Sequence, residues 1–233
     1  MTPEQQQEIL KLRALNVTPK QIARKLGLKG AEVTAFIKEQ AQEAALAKAQ
    51  SGELAPIDKC LVDTRCAKRL LFNNSSEKDS SQDGIGGLGL VLVARTTGYN
   101  RYSVCTYLVD YWCLGLKDTI GPKEFNGNKY TEFVQSSYNN FPYGYEEITL
   151  QQATAIVFGA IDYAKSLGFS PHRDFEQSRT HLGEWDGESQ LKFGRAGRPF
   201  FISGPYDNFQ RVINTLEKSV GVGNFDYFGG FEV

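Results

Sequence analysis

The sequence predicts an α+β protein in two parts, a small N-terminal three-helix unit and a larger domain built on an antiparallel sheet. Two helix starts of the form Thr-Pro, at Thr2-Pro3 and Thr18-Pro19, stand ahead of apolar residues at helical spacing. Further on, an aliphatic run at 88–94 and a β-branched and aromatic run at 102–113 read as paired strands. The elements after residue 57 follow in the order β-β-α-α-β-β-α, which lacks the strict alternation of a doubly wound sheet.

Composition agrees with a packed globular chain. Of 233 residues 41% are hydrophobic, enough for a core, and 12% aromatic and 23% charged residues place the chain in no membrane, collagen-like or disulfide-scaffold class. The chain opens with polar residues, Met1-Thr2-Pro3-Glu4, and has no run of 18 apolar residues, so the expectation is an unexported, cytoplasmic protein with no membrane partner. Cys60, Cys66, Cys105 and Cys113 form no CxxC pair and are expected as reduced, buried thiols.

In the first unit, Thr2 with Gln5 and Thr18 with Gln21 are capping boxes, each with Pro at the first helical position. Ile9, Leu12 and Leu15 line the first helix, Ile22, Ala23 and Leu26 the second, which stops at Gly27. A third helix from Gly30 or Ala31 buries Val33, Phe36 and Ile37 and continues helical to about residue 50. Domain boundaries follow: 1–50 for this unit, 51–56 for a linker ending at Pro56, and 57–233 for the α+β domain.

Within the larger domain, 56–72 is ambiguous between strand and helix, and 73–87, rich in Ser, Asp, Asn and Gly, reads as a flexible loop. The strands at 88–94 and 102–113 form a hairpin about Gly98 and Asn100. A helix at 130–138 precedes a stronger one, opened by the capping box of Thr149 and Gln152 and closed by Gly168. A short helix at 174–182, a hairpin of 191–193 with 199–202, and a helix capped by Asp207 and running to Val220 complete the chain.

Residues 18–37 carry Ile22-Ala23, Leu26-Gly27-Leu28, Val33 and Phe36-Ile37 at positions that resemble the helix-turn-helix of the homeodomain-like and resolvase-type superfamily. A small residue at 23 lets two helices cross closely and Gly27 supplies the turn. The resemblance implies that the third helix enters a DNA major groove, presenting a front of Lys29, Gly30, Ala31, Thr34, Ala35 and Lys38, with Lys20, Arg24, Lys25 and Lys29 available to hold phosphates. That front is poor in base readers: it has no Arg, no Asn or Gln before Gln40, and it carries Glu32. DNA or RNA contact therefore stands beside a second expectation, in which the unit packs on the larger domain or docks on a partner chain, a homodimer included, with its lysines merely solvated. Charge favours the first: residues 1–50 hold eight Lys or Arg against five Glu, a net +3, leaving −4 for the rest of a chain of formal charge −1.

Other patterns carry less. Gly84-Ile85-Gly86-Gly87-Leu88-Gly89-Leu90-Val91 and His172-Arg173-Asp174 match kinase fragments, but the strand lysine, the catalytic-loop Asn and a DFG are missing. His172, Asp174 and His181, with Asp186, are candidate ligands or acid-base groups of a metal-dependent enzyme, a third expectation. Lys192, Arg195 and Arg198 beside glycines are a candidate phosphate contact. Asp110, mid-strand, is expected to pair with Lys117, Arg95 or Arg101. No cofactor is expected and no catalytic residue is assigned. Residues 155–225, with Leu167-Gly168-Phe169, Pro171-His172, Gly197-Arg198-Pro199-Phe200 and Gly204-Pro205-Tyr206-Asp207, resemble a bacterial domain family to which no activity attaches; the resemblance implies a bacterial setting and transfers no catalytic residue.

Overall fold

A computed structural model of the chain describes residues 1–14, 17–37, 39–40, 54–72, 86–185, 187 and 189–229. It divides into two compact units, Met1–Pro56 with Thr96–Tyr102 and Ile57–Arg95 with Ser103–Val233. The protein is α+β, and no helix among the described residues is long and apolar enough to cross a membrane. Leu15, Lys38, the helical extension 41–50 and most of the expected loop, 73–85, lie outside the described residues.

In the first unit three helices close one core. α1 (Pro3–Ala14) starts at a reciprocal cap: Gln5 N–H donates to Thr2 Oγ1 at 3.3 Å, and Thr2 N–H to Gln5 Oε1 at 2.9 Å. α2 (Pro19–Leu26) repeats the device with Thr18 and Gln21. Gly27 ends α2 at φ 63°, a left-handed conformation, and Leu28 N–H donates to Ala23 O at 2.9 Å, satisfying a terminal carbonyl. α3 is described over 30–37 and 39–40. Ile9 and Leu12 of α1, Ile22 and Ala23 of α2, and Val33, Phe36 and Ile37 of α3 form the core, with Val17, Leu26 and Leu28 packed against it. Fully burying each Ile or Val contributes about 1.5–3 kcal/mol.

In the larger unit the ambiguous stretch at 56–72 resolves into both alternatives. β1 (Ile57–Asp63) is followed by a helical turn, α4 (Thr64–Cys66), that runs on as a π-helical turn over Ala67–Leu71. β2 (Leu88–Gly98) and β3 (Arg101–Asp110) form the expected hairpin, with longer pairing and a two-residue turn, Tyr99-Asn100. Asn100 sits at φ 53°, a conformation Asn tolerates better than most residues. β4 (Gly115–Asn126), α5 (Gly127–Tyr138), β5 (Tyr145–Ile148) and α6 (Leu150–Ser166) follow. The sheet order is β4-β3-β2-β1-β5, and β1 pairs antiparallel with both β2 and β5.

β4 has no counterpart among the expected elements: its run of Lys117, Asp118, Lys123 and Glu124 with Gly121-Pro122 carries no apolar alternation. It is an edge strand, where one side of the backbone needs no ladder partner and Pro is tolerated. α6 packs Ile156, Val157, Ala160 and Ile161 against a core shared with Val62, Val93, Tyr107 and Val109 of the sheet.

The second expected hairpin does not form. β6 (Phe200–Ile202) pairs in parallel with β7 (Asp226–Phe228), while 191–193 is not a strand and the 194–197 turn survives only as a bridge between Arg195 and Arg198. The parallel crossover is supplied by α8 (Phe209–Val220), whose Val212, Ile213 and Leu216 bury against Phe201, Leu167 and Phe225. Asn208, not Asp207, caps α8, accepting from Arg211 N at 2.9 Å. Asp207 accepts instead from Lys117 Nζ at 2.6 Å and from Gly204 N at 2.8 Å, because a nearby ammonium offers a charged partner that a helix N-terminus does not. α7 (Phe175–Leu182) lies where a short helix was expected.

Candidate nucleic-acid interface

Burial decides which side chains of α2 face outward. Ile22 and Ala23 point to the three-helix core, so Lys20, Arg24 and Lys25 project from the other side of the helix and are exposed. Lys29, in the turn before α3, is exposed as well. None of the four cations makes an ion pair or hydrogen bond among the described residues. Arg13 differs: its Nη1 donates to Val17 O at 2.9 Å and ties the end of α1 to the segment leading into α2. That fastening was missed in the sequence because the acceptor is a backbone carbonyl, which any residue supplies.

The outward side of α3 is small and nearly featureless. Gly30, Ala31 and Ala35 are exposed, and a side chain built at Gly30 would meet no atom within 4 Å. Thr34 is half-buried and donates its hydroxyl proton to Gly30 O at 2.8 Å, inside the helix. Glu32 is exposed. A groove over the α2–α3 junction is lined by Thr18, Lys20, Arg24, Gly30 and Thr34 together with Tyr99 of the β2–β3 turn, which belongs to the same compact unit. Of the six residues expected to contact nucleic acid, five are thus placed on α2, the turn and α3; Lys38 lies outside the described residues.

The basic residues of the 192–198 segment are differently engaged. Lys192 is exposed. The Arg195 guanidinium lies over two rings, its Cζ 4.6 Å from the centroid of Phe200 and 5.6 Å from that of Trp112. Arg198 donates to Gly223 O and has Nε 3.8 Å from Asp226. Two of the three cations therefore hold the loop to its own domain.

The two histidines also have separate surroundings. His172 is half-buried; its Nδ1 accepts from Asp174 N at 3.4 Å and lies 3.8 Å from the Asp174 carboxylate and 3.9 Å from Asp118. His181 is buried on α7 with Nε2 3.2 Å from Val93 O of β2, and burial pushes its pKa down to about 4, so it is neutral at neutral pH. Among the described residues no group of three or more His, Cys, Asp and Glu is arranged to hold a metal ion, and Asp186 lies outside them.

Two carboxylates serve the backbone. Asp63 accepts from Cys66 N and Leu90 N, each at 3.0 Å. Asp110 accepts from Trp112 N and Cys113 N, also at 3.0 Å, so its hydrogen bonds go to the β3–β4 turn; of the three cations expected for it, Lys117 bonds Asp207 while its charge still favours ionised Asp110, and Arg95 donates to His181 O. All four thiols are free and buried, and burial pushes them up, Cys60 to about 11 and Cys105 to about 12, which keeps them protonated and poor nucleophiles.

Compared with family models, with curated proteins and with solved structures, the chain matches none.

Proposed function

We propose that the N-terminal three-helix unit is a helix-turn-helix that binds nucleic acid, and that the α+β domain senses, dimerises or recruits a partner. The observation that carries this reading is the set of four exposed cations, Lys20, Arg24, Lys25 and Lys29, unpaired among the described residues, on α2 and the turn before α3. Unpaired cations grouped on a helical unit attract phosphate, and binding of this kind weakens with salt as counterions are released. The opposite net charges of residues 1–50 and of the remainder support the same assignment.

The test is a fluorescence-anisotropy titration of labelled nucleic acid with the full chain and with the variant K20E/R24E/K25E/K29E. Each substitution is on the surface, where changes stay within about 0.5 kcal/mol of stability. Salt-sensitive binding by the native chain that the variant loses supports the proposal; equal binding by both contradicts it.

A second reading has its own observation. The reader-poor outward side of α3, with Gly30, Ala31 and Ala35 exposed, suits a docking surface for a protein partner or a second copy. It predicts that the same variant weakens a protein complex and leaves nucleic-acid affinity unaltered. The metal-dependent enzyme draws no support from the surroundings of His181, whose ring faces a backbone carbonyl.

A further inference from the structure

Resting on the nucleic-acid reading, we infer that Tyr99 is a base-stacking residue: an unpaired nucleotide of a DNA or RNA strand enters the groove over the α2–α3 junction, its base on the Tyr99 ring and its phosphate on Lys20 and Arg24. Tyr99 stands at the tip of the β2–β3 hairpin, in the segment Thr96–Tyr102 that belongs to the same compact unit as the three helices. The tip is a two-residue turn between paired strands, so the ring is carried on a short, braced support rather than on a long loop. Turn positions favour Gly, Asn, Asp, Pro and Ser, and turn chemistry does not account for a tyrosine there. Its side chain is 40% exposed and has no ring partner or hydrogen bond among the described residues.

The groove holds about 470 Å3, within the roughly 300–1,000 Å3 of sites that take small organic groups. None of its lining residues is acidic, and its two charged residues, Lys20 and Arg24, are exposed and unpaired among the described residues. Its two threonines are already committed, Thr18 Oγ1 to the cap of α2 and the Thr34 hydroxyl to Gly30 O. The groups left to engage a ligand are two cations and an aromatic ring. That set fits a nucleotide, since phosphate pairs with the cations and every base has a π-face for the ring. A base inside a duplex is stacked on its neighbours and does not offer that face, so the nucleotide is unpaired. Lys25 and Lys29, exposed on the same unit but outside the groove lining, give further phosphates of a strand their partners, which a free mononucleotide lacks.

The experiment titrates the full-length chain, Tyr99→Ala and Tyr99→Phe at low salt against labelled strands of about 12 thymidines or uridines, a length typical of single-strand sites. An abasic DNA strand of the same length and a blunt DNA duplex are titrated beside them. Tyr99→Ala should weaken both base-bearing strands by about 5- to 150-fold, the worth of one base–aromatic stack. Tyr99→Phe, which keeps the ring, should leave them unchanged. The native chain should prefer the thymidine strand to the abasic one by the same factor, and Tyr99→Ala should bind the abasic strand and the duplex as the native chain does. Base-bearing strands bound equally by the native chain and Tyr99→Ala, or an abasic strand bound as tightly as the thymidine strand, overturn the inference and leave nucleic-acid binding standing. A loss in Tyr99→Ala that extends equally to the abasic strand and the duplex also overturns it, since the ring then shapes the unit instead of stacking on a base. No binding of any of these at low salt removes the nucleic-acid reading itself.

Discussion

Asp63 and Asp110 each end a strand, β1 and β3, and each turns its carboxylate back onto backbone N–H groups of the chain that follows. Burial outweighs those hydrogen bonds and raises both pKa values to about 6. Each group therefore contributes stability that is present below its unfolded value of 3.8 and is lost as pH rises through 6. His181 has the opposite sign. Held neutral down to about pH 4 when folded, against 6.5 in the unfolded chain, it contributes stability that is present above 6.5 and lost as pH falls to 4. Each contribution amounts to at most about 3 kcal/mol. Urea midpoints measured from pH 4 to 8 separate them: His181→Gln should remove a loss on the acid side, and Asp110→Asn a loss between pH 4 and 6. A pH profile unchanged in both variants would contradict the burial described for these groups.

At the scale of elements, two glycines and one core residue give sharper outcomes. Gly87 has φ 83°, and a Cβ there would lie 2.5 Å from Cδ2 of Trp112, so Gly87→Ala forces a ring that is itself buried to move. Gly27→Ala meets open space and pays only for the left-handed conformation, about 1 kcal/mol. Thermal unfolding should rank the first well above the second in cost. Ile22→Ala, in the core of the three-helix unit, should cost about 2–5 kcal/mol, read as loss of amide protection over residues 3–37. The elements legible in the sequence are those whose signals are local. The capping boxes of Thr2, Thr18 and Thr149 and the apolar periodicity of α2 and α6 lie within a few residues of the turns they start. β4 and the β6–β7 pair were not legible. The first is a polar edge strand, and the second joins residues more than twenty positions apart through a helix, so nothing near Phe200 signals Asp226 as its partner. For the candidate site, residue types and spacing showed where the cations stand. Whether each is paired depended on distant groups: Lys20 and Arg24 stay free among the described residues, while Arg195 and Arg198 are engaged by rings, a carbonyl and Asp226.

As a whole the molecule joins a basic N-terminal stretch, net +3 over residues 1–50, to an acidic remainder of net −4. The contrast in charge matters because the net −1 of the full chain is no measure of what a phosphate backbone meets at the first unit. Raising salt from 50 to 200 mM should weaken DNA binding by about a hundredfold, as four released counterions require. A weaker dependence would mean that fewer of the four cations touch phosphate. The central claim is the location of binding, and the most direct measurement of it is a map of backbone amide shifts in the full chain as duplex DNA is added at low salt. Shifts should concentrate on residues 18–37, largest near Lys20, Arg24 and the turn at Gly27–Lys29. Shifts confined to the α+β domain, or none at DNA concentrations in the tens of micromolar, would contradict it.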